Sequence, residues 1–372
     1  MLYEAFKFMW YDKAKMFGIM FGMILSVFLV GQQIMICLAL LGSTVSLATF
    51  NQQYIWVVSD KSKQVIDLPF VDMRVGRELR SVSGVKAAYP LIFAGGNIKM
   101  PDGSKTAVTL IGTQAPTFAG GPWRLKQGRA IDLLQDDAII LDSRNQEIGK
   151  KLKLGDKLEY NGHRVRVVGL TARTEGLGIS YGFTTIERAR QLCRISTDQA
   201  NAFLVTCEKG FSPAQVVAAI NKEIPGVKAQ EGEQFRSKSL AYFAGNSGIV
   251  ASFGLLVVFA VITGFAIVGL TMFSAVKDRM TDYGTLKAIG ATNGVIRKLI
   301  LSQATIYSVV GFVLAYGLLV FFVRATSGSL DLQLTPVLLV CLIGVTLFIA
   351  IVGSLFAMRR ITKLEPAQVF RM

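Results

Sequence analysis

Four long apolar runs break an otherwise mixed sequence: Phe17 to Leu41, Ser247 to Val276, Leu299 to Val323, and Pro336 to Met358, none of which contains Lys, Arg, Asp or Glu. Each is long enough to cross a hydrocarbon core of ~30 Å at ~1.5 Å per residue. The pattern predicts membrane helices at 17–41, 247–276, 299–323 and 336–358. The first run is too long for the apolar part of a secretory signal, and no A-x-A site follows it cleanly, so it reads as an uncleaved anchor. The second run would form a helix of ~45 Å. That exceeds the membrane thickness, so this helix is expected to tilt or to project and join the neighbouring domain rigidly to the membrane.

Residues 42–246 have the pattern of a globular α+β domain. In KLEYNGHRVRVVGLTA, Leu158 and Tyr160 precede Asn161-Gly162, and Val165, Val167 and Val168 follow. Asn-Gly between β-rich segments predicts a two-residue hairpin. DAIILDSRNQEIGKKLKLGDKL reads as a strand, a helix and a turn at Gly155-Asp156. Val71 to Pro90 reads as helix then strand. Ser212 to Gln230 has the same plan, with Ser212 as cap and Pro213 just inside the helix. Similar helix–strand units on either side of the hairpin region imply two subdomains, one built from both ends of the segment and one inserted at about 115–190.

Charge sets the expected orientation. Lys7, Lys13 and Lys15 precede the first run; Lys277, Arg279, Lys287, Arg297 and Lys298 lie in the 277–298 loop; Arg359, Arg360, Lys363 and Arg371 lie in the 359–372 tail. The 324–335 loop has only Arg324. Basic short segments mark the cytoplasmic side. Both termini are therefore expected in the cytoplasm and the large domain outside the inner membrane. Residues 1–16, with Leu2, Phe6, Met9 and Trp10 on one helical face, predict an amphipathic helix lying in the interface. The net charge is +15, and the outer domain holds 27 basic against 19 acidic residues. The surplus reads as a soluble surface with a charge bias, or as an attraction for anionic lipid or an acidic partner. No nucleic-acid partner is expected. Cys37 and Cys341 fall inside membrane runs as packing residues. Cys193 and Cys207 fall in the outer domain, where an oxidising compartment would allow them to pair, but spacing does not decide whether they do.

The chemistry of an enzyme is missing from the sequence. It has no G-x-x-x-x-G-K-[ST] phosphate loop, no G-x-S-x-G and no H-E-x-x-H. Gly149-Lys150-Lys151 lacks the upstream glycine and the hydroxyl residue. The single histidine, His163, follows the predicted hairpin turn with no acid or cysteine cluster at ligand spacing. No catalytic, metal-binding or cofactor-binding residue is assigned. Inside the first run, Gln32 and Gln33 need partners in hydrocarbon and mark an intramembrane polar contact: an interhelical bond, a subunit contact or a polar point near a substrate path. Gly18 and Gly22 form G-x-x-x-G and permit close helix contact. Met16, Met20 and Met23 read as packing.

The polar 277–298 loop carries KDRMTDYGTLKAIGATNGVIRK. Tyr283, Leu286 and Ile289 recur at helical spacing, with Lys287 on another face and Gly284 and Gly290 flanking. Asn293-Gly294 is expected to break the helix before Val295, Ile296 and Leu299 enter the third run. A short amphipathic helix of this kind suits a groove on a cytoplasmic protein, or the lipid surface. The stretch resembles the permease signature of MacB-like, FtsX-domain ABC transporters, roughly E-R-x-x-E-I-G-I-L-[KR]-A-[IL]-G-A-[ST]. Arg279, Gly284, Leu286, Lys287, Ala288, Ile289, Gly290, Ala291 and Thr292 match it. Asp278 and Asp282 stand where glutamates are usual, Tyr283 replaces an isoleucine and Gln303 a glutamate. GRAIDLLQDDAIILDSRNQEIGKKLKLGDKLEYNGHRVRVVGL resembles the family's inserted subdomain, and the short single-repeat length resembles DevC-like permeases.

The resemblance implies a helical membrane protein with four spanning helices and a large extracytoplasmic α+β domain of Porter and Sabre type. It implies a mechanical transmitter that works as a pair of permeases with separate cytoplasmic ATPase subunits of the MacB or LolD-like class, which hold the ATP and magnesium. The coupling residues it implies are Asp278, Arg279, Asp282, Tyr283, Gly284, Leu286, Lys287, Ala288, Ile289, Gly290 and Ala291. It further implies contact with membrane lipid, an HlyD-like periplasmic adaptor and an outer-membrane duct. Three functions fit: export of an amphiphile (lipid, glycolipid, lipopeptide or drug), FtsX-type control of cell-wall hydrolases, and lipoprotein release. The large outer domain favours export.

Overall fold

The computed structural model describes residues 12–100, 102–143, 152–172, 174, 180–326 and 332–361. In chain order the helices are α1 Lys13–Thr44, α2 Ser46–Thr49, α3 Arg74–Ser81, α4 Ile186–Cys193, α5 Pro213–Glu223, α6 Gly232–Asn246, α7 Ile249–Asp278, α8 Met280–Ala288, α9 Asn293–Thr326 and α10 Pro336–Ile361. The strands are β1 Ile55–Ser59, β2 Val71–Asp72, β3 Val85–Lys99, β4 Lys105–Thr113, β5 Leu125–Gln127, β6 Ala138–Asp142, β7 Lys157–Tyr160, β8 His163–Thr171, β9 Ser180–Thr185, β10 Gln199–Ala200, β11 Ala202–Cys207 and β12 Val227–Glu231. The chain forms two compact units, one of residues 1–38 with 249–372 and one of residues 39–248.

In the first unit, α1, α7, α9 and α10 are long and apolar enough to cross a membrane. Small residues set how closely they pack. A Cβ on Gly22 of α1 would lie 2.4 Å from Ile267 of α7, and one on Gly18 would lie 3.3 Å from Thr271. Both glycines of the G-x-x-x-G therefore face α7. One turn further on, Ser26 Oγ donates to the Ala260 carbonyl at 2.8 Å, which satisfies a hydroxyl buried between the same two helices. Met23 packs on Gly311 of α9, and Gly269 of α7 lies against Gly353 of α10. Gln32 and Gln33 are half-buried on α1, and Cys341 is exposed on α10. The interfacial helix expected at 1–16 lies outside the described residues except for its last five, four of which belong to α1. The tail beyond Ile361 also lies outside them.

The second membrane helix, α7, is one unbroken helix of 30 residues, the length expected, and starts two residues later than the apolar run. Ser247–Gly248 separates α6 from α7, and Gly248 has φ +69°. A helix cannot run through that backbone conformation, and glycine adopts it without steric cost.

In the second unit, β1, α3, β3, β11, α5 and β12 make a split β-α-β arrangement of strand order β12-β1-β11-β3, antiparallel throughout. This is the ferredoxin-like order. Leu79 of α3 and Val216 and Ile220 of α5 close a core against Ile55, Val57, Phe203 and Val205 on one face. The helix expected at Ser212 forms with a full capping box, in which Ser212 and Gln215 each accept from the other's backbone N–H.

Everything from β4 to α4 is inserted between β3 and β11. Here β3 pairs β4, β4 pairs β9, β9 pairs β6, β6 pairs β8, β8 pairs β7, and β7 returns to β3 through Ile98–Tyr160 and Lys99–Glu159. Six strands thus close into a ring around Val108, Leu110, Ile139, Leu141, Leu158 and Val165. The ring takes in the second half of β3, so the compact middle part begins near Leu91 rather than at about 115. The expected hairpin is β7–β8, with Asn161 at φ 48° and Gly162 at φ 86°. The helix expected after β6 lies outside the described residues. Along β6, Ile139 and Leu141 point into the ring while Ala138 and Ile140 point out. The outward residues join Trp123, Tyr181 and Phe183 in a second core, shared with Trp56 and Leu204 of the ferredoxin-like layer and Phe235 of α6.

Candidate functional site

The 277–298 stretch folds as α8, a nine-residue helix between two spanning helices. Its charges suit its ends: Asp282 lies in the first turn and Lys287 in the last. At its C-terminus the Gly290 N–H donates to the Lys287 carbonyl at 3.0 Å and the Ala291 N–H to the Leu286 carbonyl at 2.9 Å. Gly290 has φ +103°. These two bonds and the left-handed residue form a Schellman cap, which gives Gly290 a physical reason for its place. The helix therefore ends at Gly290, not at Asn293-Gly294. Those two residues are already the first turn of α9, whose Val295 N–H donates to the Thr292 carbonyl at 3.0 Å.

The eleven coupling residues that the resemblance implies divide into three sets by exposure. Asp278, Asp282, Ala288, Ile289 and Gly290 are exposed; Arg279, Leu286, Lys287 and Ala291 are half-buried; Tyr283 and Gly284 are buried. The expected stripe of Tyr283, Leu286 and Ile289 is thus split. Ile289 is 80% exposed, whereas Tyr283 is 2% exposed. The reason is chemical: a phenol buried in a bundle needs a hydrogen-bond partner. The Tyr283 hydroxyl and the Gln303 side chain of α9 bond to each other. Burial, the largest influence, raises the Tyr283 hydroxyl above the usual phenol range, and the neighbouring Arg279 opposes this in part. A neutral amide at 303 makes this contact without the glutamate usual in the signature.

Tyr283 also lines a cavity of about 30 Å³ with Asp12, Lys15, Arg279, Gln303 and Tyr307. That volume holds a water molecule or two. Lys15 of α1 pairs with Asp12 at 3.1 Å and with Asp278 at the end of α7. Sequence reading missed Asp12, Lys15 and Tyr307 as members of this cluster. Asp12 and Lys15 lie more than 260 residues from Asp278, and no local spacing links them. The available signal was the placing of charges at the start of one apolar run and the end of another. Among the described residues no group of three or more His, Cys, Asp or Glu is arranged to hold a metal.

Four spanning helices, a large globular insert after the first and a short polar helix after the second define a transporter-type membrane subunit. The profile of the MacB-like periplasmic core domain matches residues 16–223, and that of the FtsX-like permease C-terminal domain matches residues 254–366. The chain belongs to the MacB-like, FtsX-domain family of ABC transporter permeases. Uncharacterized ABC transporter permeases of Mycobacterium tuberculosis, from strains CDC 1551 / Oshkosh and H37Rv, are each 26% identical over 82% of this chain and 79% of their own. The periplasmic region of MacB from Actinobacillus actinomycetemcomitans aligns at 12% identity with TM-score 0.39, over 50% of this chain and 92% of that one. The extracellular domain of the noncanonic ABC-type transporter YknZ from Gram-positive bacteria aligns at 15% identity with TM-score 0.37, over 48% and 98%.

Proposed function

We propose that the chain is the membrane subunit of an ABC exporter, in which α8 docks on a separate cytoplasmic ATPase and passes its motion to the outer domain to extrude an amphiphile. The observation that carries this reading is Ile289. A large apolar side chain, 80% exposed, ends a short helix anchored between two spanning helices. Its exposed neighbours Asp282 and Ala288 and half-buried Leu286 complete a face suited to a groove on a protein partner. Basic residues cluster in the same short segment, which supports a cytoplasmic side for α8 and both termini at the inner membrane. Two copies act together, with a periplasmic adaptor and an outer-membrane duct completing the path. The size of the 39–248 unit and its two joined parts favour export over signalling to cell-wall hydrolases.

Burying Ile289 in a partner would contribute about 1.5–3 kcal/mol. Ile289→Asp removes that gain and places a charge in the groove, so affinity should fall by roughly two or more decades. Lys287→Ala should do less, because a rim charge affects association rate and salt dependence more than affinity. The measurement is co-purification of the cognate ATPase with each variant, beside a membrane-insertion control. Wild-type recovery with Ile289→Asp would overturn the docking reading.

A further inference from the structure

The α8 helix is joined to α7 and α9 by the chain, but its tie to α1 is wholly non-covalent. Two contacts make it. Lys15 of α1 bridges Asp12 and Asp278, where α7 turns into α8. Tyr283 of α8 is seated among α1, α7 and α9, beside Met16, Met272 and Tyr307, with its hydroxyl held by Gln303. Tyr283, Tyr307 and Gln303 are each at least nine-tenths buried. Polar contacts in such a setting are stiff, because breaking one strands a buried group without water. The small cavity beside Tyr283 leaves room for solvent to bridge the polar groups without prising the helices apart. By contrast Ile289, six residues on, has no such seat.

We propose that Lys15 and Tyr283 are positioning residues that lock the short helix to the foot of α1, so that displacement of α8 reaches the first membrane helix directly and not only through the helices flanking it. α1 and α7 are the two helices whose chain joins the 39–248 unit, so this contact reaches the second of that unit's two attachments. The inference rests on the reading of α8 as the dock, but the lock itself exists in the chain alone and is tested there.

The experiment places nitroxide labels at Phe17 and Ala288, both exposed, in the full chain with its native cysteines replaced, reconstituted in lipid nanodiscs. The distance between them is read by pulsed electron paramagnetic resonance. A single narrow distribution is expected for the parent. Tyr283→Leu and Lys15→Met should each broaden it into several populations. Lys15→Arg should keep most of the narrowness, since it keeps the charge, and Tyr283→Phe should fall between the parent and Tyr283→Leu, since it keeps the packed ring but strands the buried Gln303 amide. Ser26→Ala, which loosens α1 against α7 elsewhere, should leave it narrow and so separates the lock from general loosening of the bundle. Distributions as narrow in Tyr283→Leu and Lys15→Met as in the parent would overturn the proposal. Broadening equal in Ser26→Ala would do the same. If α8 is not an ATPase dock, Ile289→Asp recovers the ATPase at wild-type levels while these distances still respond, so the two failures are distinct.

Discussion

Gly290 shows what a single residue contributes to the site. Its left-handed backbone closes the cap of α8, and any Cβ there meets the steric cost that glycine avoids. Gly290→Ala should destabilise the end of α8 by about 1 kcal/mol. Hydrogen exchange should show it as an approximately five-fold faster opening of the Ala288–Ala291 amides, with the spanning helices unchanged. Tyr283 gives the opposite lesson. Its spacing with Leu286 and Ile289 was legible, but a nine-residue helix leaves the same spacing readable as an inward or an outward face. The choice was made by Gln303, on another helix. Cys193 and Cys207 were left open by the sequence and are free in the structure, packed with separate cores. Burial raises the Cys193 thiol above its usual range, and its contact with Tyr160 offsets only part of that. Less thiolate is then present at neutral pH, so alkylation of Cys193 should be slow in the native chain and rapid after denaturation. A mass showing a Cys193–Cys207 bridge would contradict this.

The inserted ring and the helix seams carry the predictions that belong to whole elements. Tyr160 reaches across the ring to donate to the Val108 carbonyl at 2.9 Å, and it is fully buried. Tyr160→Phe removes this buried hydrogen bond, at a cost of about 0.5–1.5 kcal/mol. Gly22→Ala would set a methyl 2.4 Å from Ile267, forcing α1 from α7 at a cost of about 1–3 kcal/mol. Thermal unfolding in detergent should report the second loss, and exchange of β7 and β8 amides the first. The β7–β8 hairpin was readable because its pairing is local and its turn chemistry specific. Ring closure was not, because β7 and β3 pair across some sixty residues of chain. No local pattern marks Ile98 as the partner of Tyr160. The break at Gly248 was hidden for a different reason: Ser247-Gly248 is apolar enough to be absorbed into the second membrane run.

For the molecule as a whole, topology is the first test. A cysteine at Arg164, exposed in the outer domain, should react with an impermeant thiol reagent in intact spheroplasts, and one at exposed Thr292 should not. The reverse pattern would invert the orientation. Layout and domain order were legible in the sequence because four uncharged runs and the basic loops between them are global signals. How the 39–248 unit is braced was not, since that depends on one strand, β3. Its fifteen residues would extend ~50 Å. Val85 to Leu91 bond to β11 in the ferredoxin-like layer, and Leu91 to Lys99 bond to β4 and β7 in the ring. A tension applied along this strand loads its cross-strand bonds in shear, all at once, where a pull from the side would unzip them singly. β3 is therefore a tie-rod, and a load entering one half of the domain arrives in the other with little lost to flexing at a joint.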